Sequence, residues 1–125
     1  MGFRFLHTNL NVLNLEKSLD FYHKALGLSE VRRKQSEDGS FTLVFLTDEE
    51  GRYQLELTWL TERTEPYDLS NNEIHVAFET DDGKAAHRLH SELGCVCLEN
   101  KTLGVYFIED PDGYWTEIIP VDRCW

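Results

Sequence analysis

The sequence lacks features that would assign it to several large classes of protein. No apolar run approaches the ~20 residues that cross a bilayer. The segment 1–7 has neither the long apolar core nor the small-residue cleavage site of a secretion signal. Basic residues number only 12 against 23 acidic ones, a net charge of −11 that repels nucleic-acid phosphates and anionic lipid. We therefore expect a cytoplasmic protein with no nucleic-acid or membrane partner.

Cysteine is also scarce. The chain has three, Cys95, Cys97 and Cys124, and an odd count argues against a disulfide framework. Cys95 and Cys97 alternate as half of a metal site would, but no second pair follows them. Reduced thiols in a cytoplasmic protein are therefore the favoured interpretation.

An internal repeat organises the chain. Residues 3–60 and 73–120 show the same order of predicted elements, joined by a turn-rich linker at 61–72. Each half opens with an alternating strand that contains a histidine, continues with a helix, and ends with a strand that contains a glutamate. With 41% apolar residues the chain can bury a core. This pattern predicts one α+β domain, residues 1–125, made of two β-α-β-β-β repeats whose half-sheets are curved and whose helices lie outside.

Helix and turn signals are clear in both halves. In the first helix, Asn14 is expected to cap the start and Gly27 to end it in a left-handed conformation. Its predicted buried stripe consists of Leu15, Leu19, Tyr22 and Leu26. In the second helix Asp81 or Asp82 caps the start. Its predicted stripe consists of Ala86, Leu89 and Leu93. The Asp-Pro-Asp-Gly segment at 110–113 matches a type I turn and predicts a hairpin.

Four side chains of metal-ligand type occupy matching places in the repeats. Strand alternation puts His7, Glu56 and His75 on the faces opposite the apolar side chains, which must cover the helices. Glu117 shares its face with apolar neighbours. Singly, each would more often be an ordinary hydrogen-bonded or surface residue. One His and one Glu per repeat together predict a four-ligand site for a divalent cation, with two octahedral positions left for water or substrate oxygens.

Several segments form a recognisable set. They are His-Thr at 7–8, Leu-Asp-Phe-Tyr at 19–22, Leu-Gly-Leu at 26–28, Leu-Glu-Leu-Thr at 55–58, His75, and Glu-Asp-Pro-Asp-Gly-Tyr at 109–114 followed by Glu117. The set resembles the glyoxalase I (lactoylglutathione lyase) family of the vicinal-oxygen-chelate, or glyoxalase–bleomycin resistance, superfamily. The resemblance covers nearly the whole chain in register. The turn and helix patterns are shared across the superfamily, whereas the His/Glu/His/Glu set is more specific.

The resemblance implies a fold, a cofactor and a reaction. The implied metal ligands are His7, Glu56, His75 and Glu117, and the implied ion is Ni²⁺ or Co²⁺, with Zn²⁺ as a further option. The implied assembly is a homodimer whose two sites each combine the first half of one subunit with the second half of its partner. The implied substrate is the hemithioacetal of methylglyoxal and a thiol. It is isomerised through an enediolate to a 2-hydroxyacyl thioester.

The sequence offers two candidates for the catalytic base and two kinds of thiol substrate. Glu117 is the favoured catalytic base because its strand face is the more apolar, and Glu56 is the second candidate. Asn11 is predicted to contact the substrate, but glutathione-using relatives usually carry Arg at that position and Asn at the position of Leu60. The segment 98–104 is also shorter than the family's substrate-covering loop. The thiol is therefore glutathione or another low-molecular-weight thiol.

Two other functions are alternatives. One is a different metal-dependent member of the superfamily, such as an epimerase or a thiol-transfer resistance enzyme. The other is a metal-free resistance protein that binds a drug in the dimer groove. Four metal-binding residues disfavour the metal-free protein. The negative charge of the chain offers no evident site for the phosphates of the acyl-thioester that an epimerase would bind.

Overall fold

Each half of the chain folds as a separate compact unit of four strands and one helix. The computed structural model describes all 125 residues, and the units are Met1–Tyr67 and Asp68–Trp125. The N-terminal unit contains β1 (His7–Val12), α1 (Leu15–Leu26), β2 (Ser29–Gln35), β3 (Phe41–Thr47) and β4 (Gln54–Leu60). The C-terminal unit contains β5 (Val76–Thr80), α2 (Gly83–Glu92), β6 (Val96–Asn100), β7 (Val105–Glu109) and β8 (Trp115–Pro120). The predicted α+β class and the repeated element order are confirmed.

The two sheets have the same topology and the same register. Their strand orders are β1-β4-β3-β2 and β5-β8-β7-β6, with the first and last strands of each unit parallel and the other pairs antiparallel. In the first sheet Glu56 stands opposite Asn9, and in the second Glu117 stands opposite Ala77. Each glutamate is therefore paired with the residue two places after the histidine of its own unit. The edge strands β2 and β6, which follow the helix of each unit, also carry a bulge at the equivalent place.

The first helix begins and ends as the sequence predicts. The Asn14 side chain accepts a hydrogen bond from the Lys17 backbone N–H, and Gly27 has a left-handed φ of 67°. The predicted stripe is only partly right, because Leu19 and Leu26 are half-buried. The fully buried residues are Leu15, Ser18, Tyr22 and Ala25. The small side chains of Ser18 and Ala25 occupy the inner face, and the leucines flank it.

The stripe predicted for the second helix is wrong. Leu89 and Leu93 are each 40% exposed, whereas Gly83 and His90 are buried. His90 Nδ1 lies 2.7 Å from the Tyr106 hydroxyl, which satisfies both polar groups inside the unit. Gly83 packs against the backbone of Cys124, where a Cβ has no room. The C-terminal segment 121–125 therefore helps to decide which face of the helix is buried.

Two predicted strands begin later than expected. The alternation of apolar residues that begins at Leu6 and at Ile74 predicts a buried strand face that includes both, but both are exposed, Ile74 to 92%, and the strands start at His7 and Val76. Ladder pairing in the first unit begins at His7 with Gln54, so the preceding side chains have no partner strand to pack beside. Neither helix has the length and apolar composition required to cross a bilayer.

The remaining turn and cysteine predictions agree with the structure. In the hairpin between β7 and β8, Gly113 donates its N–H to the Asp110 carbonyl at 3.0 Å, and the φ of Gly113 is 94°. All three cysteines are free. Burial, with the charge of Glu109 as a smaller cause, raises the pKa of the Cys97 thiol to about 11, so this thiol is protonated at neutral pH.

Candidate active site

One His–Glu pair lies on the N-terminal sheet. His7 begins β1 and Glu56 lies near the centre of the neighbouring β4, and His7 Nε2 is 3.4 Å from Glu56 Oε1. The Glu56 side chain is 13% exposed and that of His7 is 34% exposed. Parallel pairing of the two strands brings the side chains together across 49 residues of sequence.

A second His–Glu pair lies at the equivalent place on the C-terminal sheet. His75 immediately precedes β5 and Glu117 lies in β8, with His75 Nε2 3.1 Å from Glu117 Oε2. The Glu117 side chain is 20% exposed. All four residues predicted as metal ligands are therefore arranged in two pairs, one in each unit. The chain has no group of three or more His, Cys, Asp or Glu side chains spaced to hold a metal ion.

The geometry of both pairs fits two neighbouring ligands of one divalent cation. Imidazole nitrogen and carboxylate oxygen bind such ions at ~2.0–2.2 Å, so adjacent ligands of an octahedral or tetrahedral ion lie about 3–3.5 Å apart. The Nε2–Oε distances of 3.4 and 3.1 Å fall in this range. A donor set of two imidazoles and two carboxylates suits Ni, Co, Fe, Mn or Zn. The residues present therefore fit a metal of this class.

A phenylalanine accompanies each pair, and neither was among the site residues predicted from the sequence. Phe45 is paired with Glu56 and Phe107 with Glu117. Their rings meet the imidazoles of His7 and His75 nearly edge to face, with centroids 5.7 and 5.1 Å apart. Such contacts favour one orientation of the imidazole. The internal repeat could have identified them, because the two phenylalanines occupy equivalent strand positions.

The polar surroundings of the two pairs differ. In the N-terminal unit Thr58 Oγ1 donates to Asn9 Oδ1 at 2.6 Å, and Asn9 Nδ2 donates to Asn11 Oδ1 at 2.9 Å. This chain of hydrogen bonds runs beside Glu56 and places Asn11 on the same face as the His–Glu pair. The equivalent positions around Glu117 are different: Ala77 replaces Asn9, Glu79 replaces Asn11 and Ile119 replaces Thr58. The ring of Trp115, also on this face, lies against Phe107.

The sequence and the fold of this chain match known proteins over most of its length. Residues 4–118 match the Glyoxalase/Bleomycin resistance protein/Dioxygenase superfamily. The chain belongs to that superfamily. A lactoylglutathione lyase of Neisseria meningitidis serogroup A is 47% identical over 126 residues, covering 93% of this chain and 89% of that protein.

Solved structures of glyoxalase I share the fold of this superfamily member. A trypanothione-dependent glyoxalase I of Leishmania major has a TM-score of 0.84 and 29% identity, covering 97% of this chain and 88% of that one. A glyoxalase I of Zea mays has a TM-score of 0.79 and 27% identity, covering 93% of this chain and 44% of that one. The expected resemblance to glyoxalase I is confirmed, and the chain is a glyoxalase I-like enzyme.

Cavities of this glyoxalase I-like chain lie at both ends of the strands of its N-terminal unit. One of about 140 Å³ adjoins His7 and is lined by Phe5, Thr8, Tyr53 and Gln54 as well. The other, about 700 Å³, lies at the far end of β3 and β4, where Phe41 and Leu60 contribute apolar lining. Leu60 stands where glutathione-using relatives were expected to carry Asn, so this end of the face offers less hydrogen bonding to a thiol.

Proposed function

We propose that this enzyme isomerises the hemithioacetal of methylglyoxal and a thiol to a 2-hydroxyacyl thioester. The observation that carries the proposal is the His–Glu pair in each unit, in the same register and with the spacing of neighbouring metal ligands. The 47% identity to a lactoylglutathione lyase supports the same reaction.

The proposed cofactor is one divalent cation held by His7, Glu56, His75 and Glu117. Ni²⁺ or Co²⁺ is proposed on the resemblance to the glyoxalase I family, with Zn²⁺ as the second choice. When bound, a cation of this kind polarises the two adjacent substrate oxygens and so acidifies the carbon-bound proton. The edge contacts from Phe45 and Phe107 would hold both imidazoles in the orientation that presents Nε2.

Glu117 is the proposed base. Its carboxylate would take the proton from the carbon that carries sulfur and return it to the neighbouring carbon, while the carbon–sulfur bond stays intact. The two residues paired with Glu117 in the sheet are Ala77 and Phe107, whose side chains offer its carboxylate no hydrogen-bond donor. Glu56, beside the amide of Asn9, is proposed to act mainly as a ligand.

Assembly, thiol and location are part of the same proposal. We infer a homodimer in which each site combines the first half of one subunit with the second half of its partner, and a cytoplasmic enzyme whose substrate forms from a reduced cellular thiol. The thiol is glutathione or another low-molecular-weight thiol, contacted by Asn11. The Leishmania major relative is described as trypanothione-dependent, which supports variation in the thiol on this fold.

The test is activity after metal removal and reconstitution with Ni²⁺, Co²⁺ or Zn²⁺. Methylglyoxal is supplied with glutathione and, separately, with cysteine. Wild type is compared with Glu117→Gln and with Glu92→Gln, a matched control that removes an exposed carboxylate from α2 of the same unit. We expect turnover by wild type and control, and a loss of about 10²–10⁴-fold in Glu117→Gln.

Two results would contradict the proposal and favour the alternatives. Metal binding without turnover on either thiol adduct would indicate an epimerase or a thiol-transfer enzyme of the superfamily. Failure of wild type to bind any of the three ions would indicate a metal-free, drug-binding protein.

A further inference from the structure

One row of side chains crosses the sheet of the N-terminal unit from the His–Glu pair to the outer edge. The register pairs Asn9 with Glu56, Glu56 with Phe45, and Phe45 with Arg32. Side chains of directly paired residues project from the same face of a sheet. Arg32 therefore lies on the face that carries His7 and Glu56, at the outer end of the row.

The guanidinium of Arg32 is positioned by an aromatic ring and has no carboxylate partner. Its Cζ lies 4.0 Å from the Phe45 ring centroid, a cation–π contact, and the same ring contacts His7. Arg32 forms no ion pair. The adjacent Arg33 is bound to Glu30 at 2.7 Å, on the opposite face. Although the chain has 23 acidic residues, none of them forms an ion pair with Arg32, so its N–H donors are available for an external anion.

The equivalent row of the C-terminal unit has no cation. Leu98 occupies the place of Arg32, opposite Phe107, and its side chain is 45% exposed. A residue required by the sheet, or by the His–Glu pair itself, would be expected in both rows, as the phenylalanines are. Arg32 is therefore expected to contact a group that only the N-terminal unit reaches. A substrate group away from the reacting carbon fits this description.

Distance and charge identify the substrate group. The Phe45 ring contacts both the Arg32 guanidinium, at 4.0 Å, and the His7 ring, at 5.7 Å between centroids. The guanidinium therefore lies within about 10 Å of the His7 ring, or about two strand spacings. An extended peptide spans ~3.5 Å per residue, so a tripeptide thiol with its sulfur beside the His–Glu pair carries its carboxylates about this far. Lys34, on the same face one row further, also forms no ion pair and adds positive charge.

We propose that Arg32, assisted by Lys34, binds a carboxylate of a peptide thiol and so determines which thiol adduct this enzyme accepts. The inference rests on the proposed function. A planar guanidinium matches a carboxylate with two parallel hydrogen bonds. Arg32, on β2, would then bind the carboxylate that Asn11 and Leu60 are not suited to bind.

The test measures binding without turnover, by calorimetry on the metal-loaded protein. The probes are S-methylglutathione and its dimethyl ester, which lacks both carboxylates. Wild type is compared with Arg32→Gln and with Arg33→Gln, the neighbouring arginine on the other face. We expect Arg32→Gln to weaken S-methylglutathione binding about 10- to 100-fold and to leave ester binding unchanged. Arg33→Gln should bind both probes as wild type does. With methylglyoxal and glutathione, Arg32→Gln should raise KM and leave kcat within about twofold.

Several outcomes would overturn the proposal. One is an equal loss of affinity for the acid and the ester in Arg32→Gln, and another is an equal loss of affinity in the two arginine variants. A third is a wild type that binds the ester as tightly as the acid, or that binds neither probe. Thermal unfolding of each variant is measured as well, and a midpoint equal to that of the wild type verifies that the fold is intact. A protein that binds S-methylglutathione through Arg32 but has no isomerase activity would contradict the proposed function and leave the Arg32 assignment standing.

Discussion

At the scale of single residues, the two glutamates differ in their neighbours and hardly in their exposure. The Glu56 and Glu117 side chains are 13% and 20% exposed, so burial alone does not distinguish a base from a ligand. Asn9 pairs with Glu56 and Ala77 with Glu117. The side chain of asparagine carries hydrogen-bonding groups and a methyl group carries none, so the two glutamates differ in their polar surroundings, and Glu117 is the proposed base.

Exchanging these neighbours tests the assignment. We expect Ala77→Asn to lower kcat about 3- to 10-fold, because an amide beside Glu117 stabilises the charged form that must take up a proton. Asn9→Ala is the matched control and should leave kcat within about twofold. Steady-state rates and metal affinity are measured together, and an Ala77→Asn enzyme with unchanged kcat would contradict Glu117 as the base.

At the scale of elements, the C-terminal segment 121–125 is the feature that distinguishes the second unit most from the first. It passes over two glycines, and a Cβ on Gly83 or Gly104 would collide with the backbone of Cys124 or with Arg123. The Trp125 ring stacks on that of His87 and contacts the tilted ring of Tyr106, with the Lys101 ammonium 4.0 Å from its ring centroid. The segment is therefore packed as part of the unit.

The contact at Gly104 predicts a measurable loss of stability. Gly104→Ala meets both a left-handed φ of 70° and the Arg123 backbone, and we expect it to destabilise the fold by about 2–4 kcal/mol. Gly39→Ala has a nearly equal φ of 72° with open space around the added methyl, and should cost only about 1 kcal/mol. Urea unfolding of both variants measures the difference. Equal losses would show that segment 121–125 does not constrain Gly104.

At the scale of the whole molecule, each unit contributes one His–Glu pair, and the proposed four-ligand site needs two units. The units come from one chain or from two, and only the second arrangement makes dimerisation a condition for activity. The homodimer proposed here takes the second arrangement, with the N-terminal unit of one subunit and the C-terminal unit of its partner at each site.

Subunit complementation distinguishes the two arrangements. Glu56→Ala and Glu117→Ala chains are each expected to be inactive alone. When they are refolded together, a shared site predicts recovery of about a quarter of wild-type activity, since half of the dimers are mixed and each has one intact site. Lack of recovery, with mixed dimers demonstrated by mass, would place each site within a single chain.

Much of this protein is determined by local patterns in its sequence. The repeated element order, the caps of the first helix, the Asp-Pro-Asp-Gly turn and the matching places of the four His and Glu residues follow from periodicity and turn preferences within short segments. These features depend on neighbours along the chain, and those neighbours can be read directly.

Other features were decided by contacts between distant segments. His90 is buried against Tyr106, Gly83 is buried against Cys124 and Leu89 is exposed, which the helical periodicity of α2 does not reveal. The bulge in β2 shifts strand alternation by one residue, and so directs Arg32 toward the face of Glu56. A bulge forms only against a partner strand, and a helix face is buried only against what covers it, so these outcomes belong to the tertiary structure.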